Sequence, residues 1–311
     1  MCKDPIKIGP IVVLLWAIYG CTKKILENNS TPIFSQRLEV KCTQGKPREE
    51  FKAPLSWQEI KRVFIIMLEN VDASVAAAQP YLGELAKNGA SFAGFSAVAH
   101  PSQPNYIALI SGDTQGVTGD DEVNLDSQHI GDLLKGAGKR WRVYAEDYPG
   151  DCFQGMVSGN YVRKHVPFLS FKNVTGSVAE CSNIVPASQL ASDIDKNDLV
   201  EFSLYVPNLA SDGHDTGPAY ADRWLSQTFD VFLKNSAFMT GTLVIFNYDE
   251  SLTDAPNQIY PVFYGAGVNP GSASSICYDH YSTLATTEQI LGLSDLGKKD
   301  KTATIIDDIW K

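Results

Sequence analysis

The chain has no CxxC pair and no Cys/His spacing of the kind that holds zinc, so a thiolate metal site is not expected. Basic residues are few. The 26 Lys and Arg face 36 Asp and Glu, and the formal net charge is −10. That balance argues against nonspecific nucleic-acid binding, which neutralises phosphates with Lys and Arg. No basic stripe and no conspicuous amphipathic interfacial helix offers itself to a lipid surface. No apolar run reaches the roughly 20 residues that cross a bilayer comfortably. After residue 60 there is no Pro/Ser/Gly linker, no repeat and no low-complexity tract. The 311 residues, 44% of them hydrophobic, are therefore expected to build one large domain.

What is present begins at the N-terminus. Lys3 and Lys7 precede an apolar run over residues 8–19, and Gly20 follows at a plausible cleavage point. This is the pattern of a secretory signal peptide over 1–20. Residues 21–59 are polar and lack periodicity, which predicts an exposed extension before a catalytic domain over 60–311. Six cysteines fit an oxidising compartment. Cys2 would leave with the signal. Cys152 and Cys181 bracket a loop-rich insert and are the first disulfide candidates; Cys42 and Cys277 are a second pairing, and Cys21 is left over. Spacing does not fix connectivity. Sequons at Asn28, Asn29 and Asn173 are compatible with glycosylation. The expected location is extracellular or in the cell wall.

Residues 64–68 read Phe-Ile-Ile-Met-Leu, a strand covered on both faces, and the run ends in Glu69-Asn70. Residues 242–248 repeat the pattern and end in Asp249-Glu250. Alternating strands and helices predict a mostly parallel sheet with helices on both faces. The predicted strands are 62–68, 91–98, 141–145, 202–206, 242–248 and 259–264; the helices are 75–88, one after Pro104, 128–137, 219–235 and 281–291. Open α/β sheets bind ligands at the carboxyl ends of their strands. Two strands delivering oxygen ligands to that edge predict a hard-cation site. Ser102 stands in the Pro-flanked turn His100-Pro101-Ser102-Gln103-Pro104-Asn105 and presents a hydroxyl. His214 lies in the polar loop Asp212-Gly213-His214-Asp215, and His280 opens the last helix. His129 and His165 carry no supporting context and are expected to be structural.

In order and spacing, these motifs resemble the phosphoesterase family of secreted acid phosphatases and phosphatidylcholine-type phospholipases C. The markers are Met67-Leu68-Glu69-Asn70, His100 to Tyr106, Ser111-Gly112-Asp113, Trp141 to Glu146, Asp212 to Asp215, Tyr248-Asp249-Glu250 and His280-Tyr281-Ser282. They cover about residues 62–310, and the likeness is greatest to the small fungal-type acid phosphatase branch. The resemblance implies a three-layer α/β/α sandwich similar to alkaline phosphatase. It implies that Glu69, Asn70, Asp249 and Glu250 bind a divalent cation (Ca²⁺, Mg²⁺ or Mn²⁺). Ser102 would be both ligand and nucleophile. His214 and His280 would contact phosphate oxygens or protonate the leaving group, with His100, Asn105 and Asp215 lining the pocket. Tyr248, Gly213 and Gln103 depart from the commoner residues of the family, on the pocket walls.

The implied activity is hydrolysis of small phosphate monoesters at acidic pH. A phospholipase C-type diesterase and an inactive binding protein on the same scaffold are the alternatives. Neither nucleic acid nor stable membrane insertion is expected, and the oligomeric state is open.

Overall fold

A computed structural model describes residues 42–253 and 256–311. Eight strands form the main sheet: β1 Arg62–Leu68, β2 Ala90–Phe92, β3 Trp141–Ala145, β4 Ile184–Pro186, β5 Phe202–Val206, β6 Thr242–Tyr248, β7 Val262–Gly265 and β8 Ser272–Ser274. Their spatial order is β8-β2-β7-β6-β1-β5-β3-β4. β1 pairs in parallel with both β5 and β6, and β3 continues the parallel set. β7 runs antiparallel to both of its neighbours. The sheet is thus mostly parallel, as the continuous apolar strands predict.

The two faces of β1 are covered by different layers. Phe64 packs against Phe229 and Phe238, with ring centroids 6.2 and 5.2 Å away. Phe229 belongs to helix Pro218–Leu233. On the other face, Met67 Sδ accepts from Asn247, whose side chain also meets His280. Trp141 stacks on Phe168 at 4.1 Å on that same side. Each layer buries large aromatic rings against the sheet, and that burial is the main force closing the α/β/α sandwich.

Several expected elements differ in their bounds. The helix expected over 75–88 is two helices, α1 Ala73–Ala77 and α2 Pro80–Asn88. Pro80 has no N–H to continue the first helix but fits the first turn of the second. The strand expected over 91–98 is β2 and a separate short strand, Phe95–Ser96. Helix α3, Ser102–Ser111, starts two residues before Pro104 and ends at Gly112, whose φ of 70° suits a residue without Cβ. The last helix, α4, runs over His280–Ile290 and packs on α3.

Residues 42–59, although largely exposed, are anchored to the rest of the fold. Cys42 is disulfide-bonded to Cys277, Thr43 bridges to Ile276 and Pro47 to Thr304. Trp57 is buried between Phe51 and Trp310. A polar composition hid this segment because its anchors are a disulfide, an ion pair and single aromatics. The signal peptide and the rest of the extension, with Cys2, Cys21, Asn28 and Asn29, lie outside the described residues. Cys152 and Cys181 form the second disulfide.

The ion pair of that segment supports a prediction. Arg48 hydrogen-bonds the buried Glu288 carboxylate and donates to Leu293 O at 3.1 Å. Burial, then Asp300, pushes the Glu288 carboxyl up from its ordinary 4.5 to about 8, against the pull of Arg48. A raised pKa means the folded chain holds a proton that the unfolded chain releases. The associated stability is complete below pH ~4.5 and is lost as pH rises through ~8. Removing Arg48 sharpens that loss. Arg48→Met should therefore cost about 3 kcal/mol at pH 8.5 and clearly less at pH 5. Paired urea titrations of variant and wild type at both pH values check this.

Candidate active site

The carboxyl ends of β1 and β6 bring Glu69, Asn70, Asp249 and Glu250 to one place because the strands are parallel and in register, Leu68 beside Tyr248. Asn70 turns the chain in the left-handed region, φ 43°, which Asn tolerates better than most residues. Its N–H donates to Asp249 Oδ1 at 3.0 Å. Ser102 is the first residue of α3. Its Oγ donates to Glu69 Oε2 at 3.0 Å and lies 3.3 Å from Glu250 Oε1. One hydroxyl proton cannot serve two ionised carboxylates, so the second contact requires a protonated carboxyl or a cation between them.

Other groups close the cluster. Tyr106, one turn along α3, donates to Glu69 Oε1. His100 Nδ1 is 2.5 Å from Glu250 Oε2. Asp212, fully buried, places Oδ2 at 3.5 Å from His165 Nδ1, and His165 Nε2 is 3.3 Å from Glu69 Oε1. Tyr106 stacks on the His165 ring, with centroids 4.9 Å apart and planes at 8°.

The electrostatics follow from burying four carboxylates together. Burial, then Asp249 and Asp212, raises Glu69 well above the carboxylate range. Burial lifts Asp212 to about 7 and Asp249 to about 6. Glu250 rises to about 8 through burial and then the charge of Asp249. Burial lowers His165 well below its ordinary value. A neutral His165 cannot balance this charge.

The buried oxygens Asn70 Oδ1, Asp212 Oδ2 and Asp249 Oδ2 receive no hydrogen bond. Unsatisfied buried acceptors in an anionic cluster fit a hard divalent cation. Glu69, His165 and Asp212 have ligand atoms within 4.8 Å of one another, and so extend the expected ligand set.

The expected residues do not all converge. Glu69, Asn70, Ser102, Asp249, Glu250 and His100 are brought together. His214 is about one third exposed, with Nδ1 at 2.7 Å from Asp215 Oδ1. Asp215 is mostly exposed and turned onto His214; Asp212 is the aspartate of this loop that faces the cluster. Asn105 does not line a pocket. Its Oδ1 accepts from Val98 and Ala99 N–H at 3.0 Å, and its Nδ2 donates to Ala99 O and Pro101 O, so it holds the loop that carries His100.

His280 is fully buried, and burial lowers its pKa to about 4. Its Nε2 lies 2.7 Å from the Asp249 carbonyl, which can only accept, so Nε2 carries the proton and Nδ1 faces the Asn247 amide. The expected cationic contact with phosphate gives way to a neutral ring that fixes the Asp249 backbone. Asp279 caps the helix end that His280 was expected to open to an anion. His129 is structural, as expected: its Nδ1 accepts from Gly131 N–H at the start of helix Ile130–Gly136.

His165, Tyr106 and Asp212 were missed as site residues. His165 comes from the loop-rich insert and has no local motif. The Asp212 position was legible only as a choice between two aspartates.

Comparison with known proteins bears on the family and the fold. A "Probable acid phosphatase" of Kluyveromyces lactis is 35% identical over 261 residues, covering 79% of this chain and 62% of that protein. An acid phosphatase of Aspergillus fumigatus is 32% identical, covering 79% of this chain and 58% of that protein. The chain thus spans less than two thirds of these fungal relatives. A phosphatidylinositol-3-phosphatase of Mycobacterium tuberculosis is 36% identical, with 74% and 75% covered. Among solved structures, a Vibrio parahaemolyticus protein of the alkaline phosphatase superfamily superposes with a TM-score of 0.54 at 14% identity, covering 86% of this chain and 74% of that one. Murine ectonucleotide pyrophosphatase/phosphodiesterase 5 gives 0.52 at 10% identity, covering 78% and 100%. These two likenesses concern the fold alone. The Phosphoesterase family profile matches residues 75–294, more than half of the chain, and the chain belongs to that family.

Proposed function

We propose that this protein is a secreted, metal-dependent phosphatase that hydrolyses phosphate monoesters through Ser102 at acidic pH. The observation that carries the reading is the Ser102 hydroxyl held between two buried carboxylates, Glu69 and Glu250. Glu69, Asn70, Ser102, Asp249 and Glu250 would hold a Ca²⁺, Mg²⁺ or Mn²⁺ ion, with Asp212 and His165 beside them. Such an ion, when bound, favours the serine alkoxide and neutralises phosphoryl charge.

The chain's own groups would do the rest. With a cation keeping these carboxylates ionised, Glu69 or Glu250 would take the Ser102 proton as Oγ bonds to phosphorus and the ester P–O bond breaks. His214, whose N–H donates to Asp212, would give the departing oxygen a proton. Water then releases phosphate from Ser102. Tyr106 and His280 orient Glu69 and Asp249.

The reported relatives are named as phosphatases, which favours a monoesterase over a phospholipase C-type diesterase or an inactive binder. Two disulfides support an oxidising, extracellular location. Among the described residues no helix is long and apolar enough to cross a membrane.

The test is phosphate release by the purified protein from glycerol 2-phosphate with added Mg²⁺, Mn²⁺ or Ca²⁺, beside a short-chain phosphatidylcholine. Release from the monoester alone, lost on chelation and restored by metal, is expected. Full activity in demonstrably metal-free protein would overturn the metal role. Turnover of the diester alone would overturn the monoesterase reading.

A further inference from the structure

A pocket of about 220 Å³ opens beside the nucleophile, and the mechanism does not use it. Gln103 and Lys164 are among its lining residues. Gln103 follows Ser102, and Lys164 precedes His165, so both are chain neighbours of the site. Asp120 ties them together: its Oδ1 accepts from the Gln103 N–H at 3.0 Å and its Oδ2 from Lys164 Nζ at 2.6 Å. Asp120 therefore links the pocket lining to the backbone next to Ser102.

The remaining walls are largely carbon, from Val123, Met156, Val157 and Val162. Met156 and Val157 are 52% and 60% exposed, an unusual pair of large apolar side chains to leave in water. They lie on and beside the short hairpin Val157–Ser158 and Tyr161–Val162. The lining also carries carboxylates. Lys164 pairs with Asp120 and Arg163 with Glu122 at 2.9 Å, while Asp121 adds a further carboxylate to the lining.

We infer that this pocket is a leaving-group subsite for phosphate monoesters of compact, neutral, apolar alcohols, a single aromatic ring being the best fit. The inference rests on the phosphatase reading and names its substrate class. An apolar cavity of about 150 Å³ already holds benzene. The space here takes one ring with its ester arm and not a pair of acyl chains. The carboxylates in the lining disfavour a leaving group that carries its own negative charge. Asp120 in the lining holds the Gln103 N–H, one residue from Ser102, so a ring in the pocket would lie within an ester arm's reach of the nucleophile.

Two measurements test this. In the first, benzylphosphonate and methylphosphonate are titrated calorimetrically into the Mg²⁺-supplemented protein. Benzylphosphonate should bind about tenfold tighter. In the second, the ratio of kcat/KM for benzyl phosphate over glycerol 2-phosphate is measured. Val157→Asp, at a largely exposed position, should lower both the binding preference and this ratio about tenfold. Val178→Asp, at a 91% exposed position outside the pocket, should change neither. Equal binding of the two phosphonates, or preferences unchanged by Val157→Asp, would overturn the subsite. Absence of ester cleavage alongside a benzylphosphonate preference that Val157→Asp removes would overturn the phosphatase reading and leave the subsite standing.

Discussion

Ser102→Ala lowers kcat by about 10⁴–10⁶-fold while the protein stays folded. The size follows from the role. Without the hydroxyl no phosphoserine forms, and only binding and electrostatic stabilisation of a direct water attack remain. The fold should tolerate the change. Ser102 is the first residue of α3, and no side-chain cap depends on it. Alanine keeps helical backbone there and removes one oxygen. Glu69 retains the hydrogen bond from Tyr106. A competing structural role for Ser102 predicts a lower melting temperature with activity lost in proportion to unfolded protein. Circular dichroism, a thermal melt and single-turnover phosphate release separate the two. Wild-type turnover in a folded Ser102→Ala protein would remove the covalent serine from the mechanism.

How much of this was legible from residues alone depended on where the signal lay. Glu69-Asn70 and Asp249-Glu250 were legible because a strand buried on both faces is a continuous apolar run whose end is abrupt. Parallel pairing then fixes both ends on one edge. Helix α3 gave no periodic signal, since all ten of its residues are buried and no polar face remains to reveal the period. Tyr106 therefore passed as core, although its hydroxyl reaches Glu69. His165 was invisible because its partners Glu69 and Asp212 come from loops after two different strands. His280 misled for another reason. A histidine at a helix start suggests an anion site, but Asp279 accepts from Ser282 N–H at 2.9 Å and already satisfies that end. The imidazole is left to burial, which strips its charge. Glu146 is the converse case. It too ends a strand of the parallel set, yet Tyr205, Trp224 and Asn208 all donate to it, which makes it a structural acceptor.

Asp249→Asn should move stability and activity in opposite directions. Asp249 is fully buried, its Oδ1 accepts from the Asn70 N–H, and its Oδ2 has no donor. An asparagine oxygen can keep the bond from Asn70, so the turn survives. Its amide removes one charge from a cluster in which Asp249 helps to raise both Glu69 and Glu250. In chelator, the variant should therefore melt above the wild type, because less like charge is buried together. With metal the order reverses. A cation at a hundred times its Kd stabilises the wild type by about 2.7 kcal/mol, or roughly 5–10 °C in a domain of this size. The variant, one anionic ligand short, should lose most of that shift and, with it, on the order of 10²–10³ in turnover. Calorimetric melts with and without chelator, elemental analysis and phosphate release measure the three effects on one preparation. A variant that melts below the wild type in both buffers and keeps its metal would make Asp249 a structural carboxylate.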